Sequence, residues 1–124
     1  MIARTGHVYA LVIALGMMSG AAGCASYPAP TDRVASAEAA MRGASEIGAA
    51  QVPRAALHLK LAQEQVDKAK GFIQDGYNER AELALRRAQA DADLSLAIAR
   101  ESQTLDKLAA AKDSLEKMKA QAGH

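Results

Sequence analysis

What most limits the folds open to this chain is a set of small apolar residues that return every three and then every four positions. One set is Val34, Ala37, Met41, Ala44 and Gly48, and a second is Leu59, Ala62, Val66, Ala69 and Ile73. Leu57, Leu61 and Phe72 widen the second stripe, and Lys60, Glu64, Asp67, Lys68 and Lys70 fall on its opposite face. Residues at such spacing share one face of an α-helix, whose period is 3.6 residues. About a quarter of the chain is alanine, and tryptophan is absent. Chains rich in alanine, leucine, glutamate, lysine and arginine form long helices or coiled coils. Alanine buries little surface, so at about 25 cal/mol per Å² these seams give a thin core of modest stability.

Punctuation along the chain sets the helix limits. Thr31 or Asp32, following Pro30, can cap a first helix over about 32–50. Pro53 suits the first turn of a second helix, where its missing N–H costs nothing, and predicts a helix over 53–74. Gly71 inside it costs up to about 1 kcal/mol relative to alanine, and marks either close packing or early fraying. Asp75-Gly76 is a turn signal. A third helix over 77–120 holds neither proline nor glycine. Its first part is expected to bury Tyr77, Ala81, Ala84 or Leu85, Ala88, Ala92 and Leu96. Its last part offers Leu105, Leu108, Ala111, Leu115 and Met118.

These lengths do not match. The third helix would run ~66 Å and the second ~33 Å, so an antiparallel partner covers only half of it. Either the third helix breaks near 102–104, or its C-terminal half projects and finds another partner, self-association as a coiled coil included. The expected fold is therefore all-α, in one domain over 32–124. It is an alanine-rich helical hairpin or three-helix antiparallel arrangement with a long C-terminal helix, preceded by a cleaved signal helix.

The N-terminus has the order of a secretory signal: Arg4, an apolar run from Val8 to Met18, small residues from Ser19 to Gly23, then Cys24. The run spans ~16 Å as a helix, against ~30 Å of hydrocarbon to be crossed, so residues 1–23 read as a removed leader. Ala21-Ala22-Gly23-Cys24 resembles a bacterial lipobox, with alanine where leucine is usual. That resemblance implies covalent diacylglycerol and an N-acyl chain on Cys24, with no other cofactor. Two or more such chains hold a protein stably on a bilayer. By the same analogy Ala25, in place of aspartate, implies the periplasmic face of the outer membrane. The segment 24–31 reads as a lipidated tether, whose Ala25–Pro30 stretch, with Pro28 and Pro30, extends roughly 20 Å.

Charge and site chemistry exclude much. The chain has 15 Lys and Arg against 14 Asp and Glu, and Arg4 belongs to the leader, which leaves the remainder formally neutral. The signs alternate, so the basic stripe that nucleic acid requires is missing. One cysteine permits neither an intramolecular disulfide nor a multi-cysteine metal site. His58 reads as a solvated surface residue, and His124 is terminal. Asp91 and Asp93, two apart, point to different faces. Glu79 and Glu82 share a face, where Arg80, Arg86 and Arg87 read as surface partners. No serine has a histidine base at a recognisable spacing, and no glycine-rich phosphate loop occurs. Neither catalysis, nor a metal, nor a small-molecule substrate is expected.

Two stretches carry a family resemblance. The first is Pro53-Arg54-Ala55-Ala56-Leu57, Leu61-Ala62, Ala69 and the turn Asp75-Gly76-Tyr77; the second is Ala81, Leu83-Ala84, Ala88 and Asp91-Ala92-Asp93-Leu94. Together they resemble the bacterial lipoprotein family called domain of unknown function 4398, over about 34–100. In that family the turn reads roughly glycine-aspartate-tyrosine, whereas here the first two residues are exchanged. The resemblance implies a helical hairpin and an envelope location, and carries over no catalytic or binding residue. The expected role is structural or protein-interacting, with an envelope protein or a second copy as partner. The alternative is a tetratricopeptide-like adaptor that takes a peptide or envelope partner in its hairpin groove.

Overall fold

The structure, a computed structural model, describes residues 27–123. The expected leader 1–23, with its lipobox-like Ala21, Ala22 and Gly23, and the expected lipidation position Cys24 lie outside the described residues. Helix α1 spans Thr31–Glu46, a 3-10 turn spans Ala49–Gln51, α2 spans Pro53–Gln74 and α3 spans Asn78–Ala122. No strand occurs among the described residues, and the fold is all-α with a long C-terminal helix.

The helix ends follow local chemistry, with two departures from expectation. Neither Thr31 nor Asp32 caps α1. Pro30 occupies the cap position with no side-chain capping bond, and the Val34 N–H donates to the Pro30 carbonyl at 3.2 Å. Asp32 instead sits in the first turn, where its charge complements the positive end of the helix dipole. The first helix also stops at Glu46, short of residue 50. Gly48 takes φ +83°, in the left-handed region that favours glycine, so it turns the chain and does not extend the seam. Pro53 opens α2 as expected. At the far end of α2 Gly76 has φ +78°, its N–H donates to the Ile73 carbonyl at 3.1 Å, and the Tyr77 N–H donates to the Phe72 carbonyl at 2.8 Å. That is a Schellman close, which satisfies carbonyls the last turn would leave free.

The turn at Asp75–Tyr77 folds α2 and α3 into an antiparallel hairpin, and α1 lies against both helices. Two core layers result. Near the turn Ala37 of α1 meets Val66 and Ala69 of α2 and Ala81, Ala84, Leu85 and Ala88 of α3. Farther along, Ala44 and Ala49 meet Ala55, Ile98 and Ala99. Among the described residues Leu85 and Val66 are the only large apolar side chains that are fully buried, so the core is thin and built on alanine seams. Small seam residues let helix backbones approach closely, and such packing depends on shape more than on area. Gly71 plays neither role expected of it. A Cβ there would meet nothing within 4 Å, and α2 continues to Gln74.

Three apolar residues sit differently from expectation. Tyr77 is 54% exposed because it follows the left-handed glycine and leads out of the turn. Leu57 is exposed on the outer side of α2, and Leu96 is only half-buried. The length mismatch is resolved by projection. The 45 residues of α3 run without a break for ~67 Å, while the 22 of α2 cover ~33 Å. Every residue from Gln103 to Gly123 is exposed.

Candidate functional site

Within the packed body, polar side chains add to the alanine seams in joining the helices. Glu82 is buried, contrary to the surface pairing expected for it. It forms an ion pair with Arg33 of α1 and accepts, at 3.0 Å, from Arg86 Nε one turn along α3. Two guanidinium groups compensate a carboxylate that burial alone would make costly. The signal in sequence was Arg86 at i+4; Arg33 lies in another helix and no local spacing reveals it. Lys70 Nζ of α2 reaches Glu38 Oε1 of α1 at 2.8 Å. The Lys70 ammonium, donating to Glu38, holds that carboxyl below its ordinary 4.5, and Glu38 in turn raises Lys70 above its ordinary 10.5.

His58 is the clearest correction. It is half-buried, and its Nδ1 lies 2.9 Å from Asp91 Oδ1, which joins α2 to α3. One turn farther, the fully buried Ser95 Oγ donates to the Ala55 carbonyl at 2.8 Å. Histidine, aspartate and serine thus share one stretch of the α2–α3 interface. The serine proton is committed to a main-chain carbonyl, however, and the hydroxyl has no route to solvent. The arrangement fixes the register of the two helices. Asp93, as expected, points elsewhere and accepts from Gln89 Nε2 at 3.1 Å.

Hollows in the body are shallow. One of about 200 Å³ lies over Phe72 and Leu83, rimmed by Lys68, Arg80 and Arg87. Another of about 330 Å³ lies where α3 leaves the body, between Val52, Pro53, Ile98 and Leu105. The face of the hairpin toward Ala37 is already filled by α1. Among the described residues no three His, Cys, Asp or Glu side chains gather as a metal site, and no helix is long and apolar enough to cross a membrane.

Among the described residues, four of the nine large apolar side chains that stand exposed are on the projecting half of α3. Leu105, Leu108, Leu115 and Met118 are each about half exposed, and Ala111 lies in line with them. Leu108, Ala111, Leu115, Met118 and Ala122 step by three and four, the seam of a helix packed against another helix. No described element covers it. Gln103 Nε2 donates to the Ile47 carbonyl at 2.8 Å and ties the base of this half to the end of α1. At the opposite end of α3, Asn78 Nδ2 donates to the Tyr27 carbonyl at 2.7 Å. The N-terminal segment therefore meets the body beside the α2–α3 turn, ~37 Å along the helix from where the free half begins.

Searches for related proteins found no matching family model, curated protein or solved structure.

Proposed function

We propose that this chain is a lipid-anchored helical protein of the bacterial envelope, with a structural or protein-interaction role and no catalysis. The observation that carries the reading is the free half of α3, which presents an apolar seam that no described element covers. Monomeric proteins seldom leave a contiguous apolar strip exposed without a use for it. The resemblance to the domain of unknown function 4398 lipoproteins supports the anchor, as does the lipobox-like Ala21-Ala22-Gly23-Cys24. The contact between Tyr27 and Asn78 supports the division of labour. Tyr27, three residues after Cys24 in sequence, meets the body beside the α2–α3 turn, and the seam lies at the other end of α3. On this reading acyl chains on Cys24 hold the protein to the periplasmic face of the outer membrane, and α3 meets its partner away from the point of attachment.

The test is metabolic labelling with a fatty-acid analogue in a Gram-negative host, followed by density-gradient fractionation. The wild-type chain should take up label and travel with outer membrane, and Cys24→Ala should lose both. A Cys24→Ala chain that still travels with outer membrane sinks the anchor.

A further inference from the structure

The charges beside the exposed seam say what kind of surface fits it. With 100° per residue, Lys107, Lys112 and Lys119 all fall within about 80° of the seam's centre. Asp106, Asp113 and Glu116 fall about 100° or more away, on the outer face. The charged residues at the two edges of the seam are therefore all lysine. None of the three lysines has an ion-pair partner among the described residues.

Resting on the interaction role proposed above, we propose that the free half of α3 docks a partner α-helix whose own apolar stripe is edged by glutamate or aspartate. A second copy of this chain fits less well. In an antiparallel pair that sets Leu108 opposite Met118, Lys112 faces its own copy. In a parallel pair Lys107 faces Lys112. Like charges at these edge positions oppose pairing, and opposite charges select the partner. A lipid surface also fits less well. Helices that lie in a bilayer interface bury a broad face and favour aromatic residues at it. The free half has a narrow seam with alanine at Ala111 and Ala122, and no aromatic side chain. The seam spacing, the alanines that admit a partner's knobs and the lysine edges all suit helix-on-helix docking with an acidic partner.

The experiment uses the full chain extracted in a zwitterionic detergent, with two labelled probe peptides about three heptads long. Both probes carry leucine at the seam positions; one has glutamate at the edges and the other lysine. The glutamate probe should bind at least about tenfold more tightly, because three edge pairs change sign between the probes. The triple variant K107E/K112E/K119E should invert that preference. Leu108→Asp with Leu115→Asp should abolish binding of both probes while circular dichroism shows helix content retained. The proposal is overturned if the probes bind alike, or if charge reversal leaves the preference unchanged. It is also overturned if sedimentation finds the chain paired with itself through this seam. Adsorption to anionic vesicles that the three lysines control, with the glutamate probe unbound, overturns it in favour of lipid. Each of these failures leaves the Cys24 fractionation result standing, so loss of the partner's chemistry is distinct from loss of the anchor.

Discussion

The two halves of α3 invert the usual relation between side-chain size and burial. Where the helix is packed, from Ala81 to Ala99, the buried face is mostly alanine, with Leu85, Ser95 and Ile98 among it. Where it projects, Leu105, Leu108, Leu115 and Met118 stand half exposed. A helix meant only to be longer would gain nothing from large apolar side chains in water. The body is sealed by close approach of small residues, helped by Glu82, His58 and Ser95. The free half leaves its apolar area uncovered by any described element. One continuous helix thus serves both as a wall of the body and as its projecting face.

Truncating a leucine in each half separates the two most sharply. Leu85 is 1% exposed and, among the described residues, one of two large apolar side chains fully buried, so Leu85→Ala should cost about 3 kcal/mol. Leu115 is 48% exposed, and Leu115→Ala should change stability by less than about 0.5 kcal/mol. Urea denaturation of the two variants reads the difference. Equal losses would mean that the free half is packed after all, and the contrast between halves would fall.

A smaller effect tests the hairpin that lets α3 outrun α2. Gly76 holds the left-handed position of the Schellman close, and Gly76→Ala should lose about 1 kcal/mol. Gly71 sits in regular helix with open space where a Cβ would go, and Gly71→Ala should gain up to about 1 kcal/mol. Thermal melts of the pair should therefore move in opposite directions. A gain at both positions would show that the turn does not depend on the left-handed residue.

The parts of this fold legible in sequence are those decided within a few residues. Pro53 as a helix start, Asp75-Gly76 as a turn, and the seams through Ala62, Ala69, Ala81 and Ala88 all rest on local backbone preference and helical period. Chain length alone posed the question of whether α3 breaks or projects. The illegible parts are pairings between distant segments. Glu82 reads as a surface carboxylate until Arg33 arrives from α1, and His58 reads as solvated until α3 brings Asp91 beside it. The end of α1 could be read no better, because Gly48 fits a helical step as well as a turn and only the chain's return decided between them. The candidate seam itself was legible as spacing. Its exposure was legible only as one of two outcomes, since the helix lengths showed that α2 covers half of the third helix but not whether the other half breaks near 102–104 or runs on.

The smallest expected effect concerns the exposed pair that ties α1 to the body. Hydrogen bonding to Lys70 depresses the Glu38 carboxyl, so the stabilisation from this group is complete above its ordinary 4.5. It is lost as pH falls through the depressed folded value. Lys70 is raised by the same contact, so its share is present below its ordinary 10.5 and is lost as pH rises through the raised folded value. Between those limits Glu38→Gln should unfold at a slightly lower urea concentration than wild type. The gap should close on acidification below the ordinary carboxylate range, and salt should narrow it throughout because both groups face solvent. Measuring both chains from neutral pH downward therefore isolates the pair from the rest of the acid transition. A gap that persists when Glu38 is protonated would mean that its side chain supports α1 by packing along Lys70 and not by charge. The body would then be held by shape alone at that contact, as it is along its alanine seams, and the charge that ties α1 to α3 would rest on Glu82 with Arg33 and Arg86.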